Sequence, residues 1–149
     1  MPVYFQNATR GVPIEEAALV RAIEKLLVAL GEGGSSVSLS LVRDRRIREL
    51  NGNYRGKDKP TDVLSFSLVE GAAGPQGGER MLGDIVISLD TALRQAEEYA
   101  APLDREVRRL VIHALLHLLG HDHEGAAEAK RMRAEERRLA KVIKLPWPY

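Results

Sequence analysis

Apolar residues along this chain change their spacing midway. In the first half they recur mainly at the two-residue period of strands, and in the second at the period of helices. Residues 2–6 are expected to form a short strand. Leu19, Ile23, Leu26, Leu27 and Leu30 make one stripe of a helix whose first turn accommodates Pro13 and which stops at Gly31. After a Gly-Glu-Gly-Gly linker, Val37, Leu39 and Leu41 alternate with Ser36, Ser38 and Ser40, the signature of a half-buried strand. A short helix is expected from Asp44 to about Asn51 and a third strand at Val63–Phe66. The Gly- and Ala-rich stretch from Gly71 to Gly78 reads as a loop, and a fourth strand lies around Ile85–Ile87. Three helices should follow, at Asp90–Ala100, Asp104–Leu119 and Ala126–Ile143. The middle one is apolar nearly all round from Leu110 onward, so it is expected at the centre, packed on the sheet. Strands first and helices later predict an α+β fold: a small, mostly four-stranded mixed sheet packed with about five helices, in one domain over residues 1–149. No internal repeat interrupts this order, and the segment from Pro146 to Tyr149 reads as a surface terminus.

The central helix also carries unusual chemistry. All 4 histidines of the protein fall between His113 and His123. His113 and His117 are four apart in a helical run, which puts both imidazoles on one helix face about one turn apart. Gly120 supplies a helix stop, because glycine tolerates the left-handed backbone of a C-terminal cap. Beyond it the chain can return His123 toward the same point. An isolated His-x3-His pair is common, and a buried histidine is more often a hydrogen-bonded core residue. Here Leu110, Val111, Ile112, Leu115 and Leu116 surround the imidazoles, and each left without a partner would cost roughly 1–3 kcal/mol. A bound transition metal removes that cost for all of them. Three neutral nitrogens leave coordination positions open, as in a catalytic zinc site.

Composition narrows the setting. The 149 residues carry 22 basic and 21 acidic side chains, so net charge selects no partner. With Cys 0 there is no disulfide, thiolate site or thiol nucleophile, which suits a reducing cytosol. The N-terminus lacks a secretory pattern, and no apolar run approaches the ~18 residues of a membrane span. A soluble, cytoplasmic protein is expected. Locally, basic residues cluster between Arg43 and Lys59 and again between Lys130 and Lys141. The second cluster, interrupted by Glu135 and Glu136, reads as a solvated helix face. The first runs into what looks like a loop and can meet an anionic substrate.

The spacing His-x3-His-x2-Gly-x2-His is also that of one group of zinc proteases, which place a glutamate base directly after the first histidine. Here that position is Ala114. Losing a general base typically costs about 10²–10⁴-fold, which weighs against peptide hydrolysis. Phosphodiester hydrolysis depends more on positioning and charge stabilisation, and suits a cation without an obvious base. Such chemistry wants a positive group facing the phosphate. Arg55, in the segment Asn51–Asp62, is suited to bidentate phosphate contact. By pattern alone it is no better than one candidate among several basic residues, and a surface loop cation is the favoured reading.

Three separate motifs now line up in order: Asn51-x2-Tyr54-Arg55-x-Lys57-Asp58-x-Pro60-Thr61-Asp62-Val63-Leu64-Ser65-Phe66, then Gly83-Asp84-Ile85, then His113-x3-His117-x5-His123. Over about residues 35–125 the chain resembles the YbeY endoribonuclease family. The resemblance implies a single-strand-specific endoribonuclease using one Zn²⁺ ion, active in maturation of ribosomal RNA (the 16S rRNA 3′ end) and in ribosome quality control. It implies His113, His117 and His123 as metal ligands and Arg55 as the functional arginine, all four catalytic. It also implies single-stranded or ribosomal RNA, small-subunit proteins and an assembly GTPase as partners, and no membrane.

The chain departs from the family pattern at Ala114, His121 and Ser67, where Gly, Tyr and Pro are usual. Ala114 narrows the approach to the metal. His121 is either an exposed substitute for the tyrosine or an alternative ligand. Asp122 is expected to orient the turn or a ligand imidazole rather than to bind metal. Two other readings stand beside the leading one. A non-catalytic zinc-containing assembly factor is opposed by the all-histidine ligand set, since structural zinc usually recruits cysteine. A metalloprotease would need a base from elsewhere, with Asp84 and Asp62 as candidates.

Overall fold

The structure is a computed structural model that describes residues 3–69, 80–122 and 124–147. Among them are four strands and five helices: β1 (Val3–Asn7), α1 (Glu16–Ala29), β2 (Ser35–Val42), α2 (Asp44–Arg55), β3 (Val63–Ser67), β4 (Arg80–Ser88), α3 (Leu89–Glu98), α4 (Leu103–Leu118) and α5 (Ala126–Val142). The expected α+β class holds, with a mixed sheet of order β1-β2-β4-β3. β1 and β4 both run parallel to β2, and β3 returns antiparallel to β4 as an edge strand.

Strand alternation sorts the two faces of the sheet. Val37, Leu39 and Leu41 of β2 and Ile85 and Ile87 of β4 point into the main core, where they meet Leu19, Ile23, Leu26 and Leu27 of α1 and the apolar side chains of α4. Ser38 and Ser40 face the other way, with Val42, Asp84 and Val86, toward a groove of about 610 Å³. α2 closes one end of that face through Ile47, packed with Val42, Leu64 and Val86. As its sequence requires, α4 is the central helix: it packs against β3 and β4 and also against α1, α3 and α5. No described helix is long and apolar enough to cross a membrane.

Several expected boundaries move for identifiable reasons. α1 begins beyond Pro13, where Asp104 of α4 caps it: Oδ1 accepts the Glu15 backbone N–H at 3.1 Å. α2 runs to Arg55 instead of ending near Asn51. Its last turn holds because the buried Asn51 donates Nδ2–H to the Lys59 carbonyl at 2.9 Å and folds the following segment back against it. Gly56, at φ +67°, provides the left-handed stop. Trp147 packs against the main core, so that part of the C-terminal segment is no surface tail. The Gly71–Gly78 loop, and Pro148 and Tyr149, lie outside the described residues.

Candidate metal centre and cleft

Three elements meet at the open edge of the sheet. The C-terminal turn of α2, the edge strand β3 and the inward face of α4 enclose a cleft of about 420 Å³ whose lining includes Arg55, Asp62, Arg109, His113, Ala114 and His117. Arg55 reaches it from the end of a helix, not from a loop as expected, so its backbone is fixed by α2 and the Gly56 cap. The other arginines of this basic segment are committed to carboxylates: Arg43 to Asp90, Arg45 and Arg46 to Glu49, and Arg48 to Asp58. Among the described residues no ion pair engages Arg55, which separates it from its neighbours in a way spacing alone cannot.

His113 and His117 occupy consecutive turns of α4. Their rings meet edge to face, centroids 4.6 Å apart at 72°, with the two Nε2 atoms 3.1 Å apart. His113 Nδ1 lies 3.0 Å from Glu136 Oε2 on α5. A carboxylate accepts but does not donate, so the Nδ1 proton belongs on this bond and Nε2 presents a lone pair toward His117. Two lone pairs at this separation repel unless a cation or proton lies between them. Nitrogens bound to zinc at about 2.0–2.1 Å with tetrahedral angles stand about 3.3 Å apart, so the pair fits a shared ion. The third expected ligand, His123, lies outside the described residues. Among the described residues no cluster of three or more His, Cys, Asp or Glu is gathered for a metal.

The helix stop that leads toward His123 is as the glycine predicts. Gly120 has φ +94°. Its N–H donates to the His117 carbonyl at 3.0 Å and the His121 N–H to the Leu116 carbonyl at 3.0 Å, the paired bonds of a Schellman cap. Asp122 Oδ1 accepts the Glu124 N–H at 2.9 Å, so this carboxylate serves the turn. The side chain of His121 is sensed by Glu135: the Arg138 hydrogen bond, then the charges of Arg138 and His121, outweigh burial and hold that carboxyl below its usual range. At Ser67 the hydroxyl donates to the Leu118 carbonyl at 3.0 Å, satisfying one of the last carbonyls of α4 from the sheet edge.

Sequence reasoning missed one group lining the cleft and one behind His113. Arg109, one turn before His113, lines the cleft and is paired with the buried Glu106. Glu136 was grouped with a solvated charge cluster, but it is buried. Its signal was present: with Met132 and Leu139 it falls on a helical stripe that is otherwise apolar. The two proposed protease bases separate. Asp62 lines the cleft, with Oδ1 accepting from Val63 N–H at 2.7 Å and Oδ2 from Gln95 Nε2 at 3.3 Å. Asp84 lines the groove on the other face of the sheet.

Comparison with known proteins converges on one family. A family model described as Endoribonuclease YbeY matches residues 4–144. The Endoribonuclease YbeY of Pelotomaculum thermopropionicum is 48% identical over 141 residues, covering 91% of this chain and 93% of that one. That of Rhodopseudomonas palustris is 42% identical over 136 residues, covering 90% and 72%. That of Myxococcus xanthus is 57% identical over 116 residues, 76% of this chain but only 38% of the relative's length. The solution structure of TM1509 from Thermotoga maritima superposes with a TM-score of 0.65 at 28% identity, over 95% of this chain and 88% of that one.

Proposed function

Because the chain belongs to the YbeY endoribonuclease family, we propose that it is a zinc-dependent, single-strand-specific endoribonuclease. Its proposed role is maturation of ribosomal RNA, at the 16S rRNA 3′ end, and ribosome quality control. The observation that carries the reading is one cleft lined by Arg55 and by two imidazoles whose Nε2 atoms lie 3.1 Å apart. His113, His117 and His123 are the residues proposed to hold the metal. When bound, zinc supplies a Lewis acid that activates water near neutral pH and polarises a phosphoryl oxygen.

The chain's own residues do the rest. Arg55, anchored at a helix end, offers two parallel N–H donors to non-bridging phosphate oxygens and offsets charge that builds there as the bond to phosphorus forms. Ala114, buried on the cleft side of α4, offers no base where a zinc protease has one. Asp62 is held by Val63 and Gln95 at the cleft wall. The proposed setting is the cytoplasm, with ribosomal RNA, small-subunit proteins and an assembly GTPase as partners.

Two variants and a chelator test this. His117→Ala is expected to lose stoichiometric metal and RNA cleavage together, whereas Arg55→Glu keeps the metal and loses cleavage. Full nuclease activity in a metal-free, chelator-treated sample would overturn the proposal.

A further inference from the structure

We infer that Glu136 is a positioning residue for the metal centre, holding the His113 imidazole so that Nε2 faces the point that His117 also addresses. This rests on the metal reading above. The contact is direct: Glu136 Oε2 to His113 Nδ1 at 3.0 Å, between residues 23 apart in sequence and on different helices. α5 brings it there by packing Met132, Leu139 and Ala140 into the core. A carboxylate within that stripe, its side chain only 12% exposed, carries a desolvation cost that local packing does not repay. Its neighbour Glu135 takes the ordinary surface role instead, paired with Arg138 one turn on. Glu136 turns toward His113 of α4.

The chemical consequence follows from the imidazole. A neutral ring has one N–H, and the carboxylate claims it for Nδ1. Nε2 is thereby left as the ligand atom, and ring rotation is resisted by a hydrogen bond behind it. Without Glu136, His113 would divide its population between tautomers and rotamers, and only part of it would be ready to bind.

The test measures metal directly. Chelator-stripped full-length protein is titrated with Zn²⁺ alone against a chromophoric competitor, using wild type, Glu136→Gln, Glu136→Ala, Met132→Ala and His117→Ala. Glu136→Ala is expected to bind zinc about 10–100-fold more weakly. Glu136→Gln should fall between it and wild type, because its amide oxygen still accepts the Nδ1 proton without the charge. Met132→Ala loosens the same helix contact without touching the imidazole, and should lower thermal stability while leaving zinc affinity unchanged. Equal weakening by Met132→Ala would show a packing role and overturn the inference. So would Glu136→Ala binding zinc within twofold of wild type. If wild type takes up no stoichiometric zinc and His117→Ala behaves identically, the metal reading itself fails, and this inference with it.

Discussion

Gly83→Ala is expected to destabilise the protein severely, and the structure says by how much and why. Between β2 and β4 the register advances two residues on β2, from Ser36 to Ser38, and three on β4, from Met81 to Asp84. The additional residue makes a bulge in β4 at Leu82–Gly83. Gly83 there has φ +152°, a conformation that side-chain-bearing residues rarely adopt. A methyl group at this position would stand 2.8 Å from Leu118 Cδ2 and 3.1 Å from the Phe66 carbonyl carbon, with the Phe66 oxygen closer still. Two of these three obstacles are backbone, so a rotamer change cannot relieve them. Strain at such a φ costs about 1–3 kcal/mol, and overpacking of this kind adds about 1–3 kcal/mol. The total, about 2–6 kcal/mol and ~4 at its middle, corresponds to a drop in Tm of about 10 °C for a domain of this size.

The assay is a circular-dichroism melt of chelator-treated protein at fixed pH. Gly56→Ala serves as the reference, since Gly56 also has positive φ, +67°, but an added Cβ meets nothing within 4 Å. That variant reports conformational strain alone, about 1 kcal/mol. If Gly83→Ala melts within 2 °C of wild type, or no lower than Gly56→Ala, the steric account is wrong. The clash also has a functional reading. Leu118 directly follows His117, so relief by displacing the end of α4 would move a candidate ligand, and zinc affinity should fall with stability.

Acid stability should depend on Asp44. Its carboxylate accepts from Ser88 and Thr91 hydroxyls, each at 2.6 Å, and from Arg94 at 2.7 Å, tying α2 to α3. Burial pushes its pKa up, but those hydrogen bonds and the Arg94 charge more than reverse this, leaving it below the ordinary 3.8. A depressed folded-state pKa gives stability that is complete above 3.8 and is lost as the pH falls from there through the lowered folded-state value. Asp44→Asn should therefore cost about 1–2 kcal/mol at neutral pH, with its gap from wild type in urea denaturation shrinking as the pH falls below 3.8; a constant gap refutes the linkage. Glu106→Gln strips the charge from a pair in which the glutamate side chain is 4% and Arg109 18% exposed. The expected loss is about 3 kcal/mol, and under 1 kcal/mol would place the pair among ordinary surface bridges.

What was legible in the sequence was whatever a local period or a single residue type decides. The alternation of Val37, Leu39 and Leu41 with serines placed β2 and both its faces. The apolar run around His113 placed α4 at the centre, and Gly120 ended it where expected. What escaped depends on contacts between distant segments. Asn51, Gly52 and Asn53 are poor helix formers, so α2 appeared to end early; the Asn51–Lys59 bond that sustains its last turn is invisible locally. Glu136 was obscured by its company: six basic side chains nearby make a surface helix the natural reading. Its place on the stripe of Met132 and Leu139 was the stronger signal, because one charge on an apolar face demands a partner.

Net charge was equally misleading about the cleft, and the reason bears on substrate choice. A balance of +1 says nothing about RNA, but the field at a site is set by which charges remain uncommitted near it. Around the cleft the acids are largely engaged: Asp62 by Val63 and Gln95, Glu106 by Arg109, and Glu136 by His113. Among the described residues Arg55 has no such ion pair. An anionic polymer entering the cleft would therefore meet carboxylates already occupied by donors and one arginine available for phosphate. A polypeptide would find Ala114 where a zinc protease has its glutamate, and the described acids around the cleft already engaged. The proposed preference for phosphodiesters, which Ala114 first pointed to by what it lacks, is thus also supported by how the neighbouring charges are engaged.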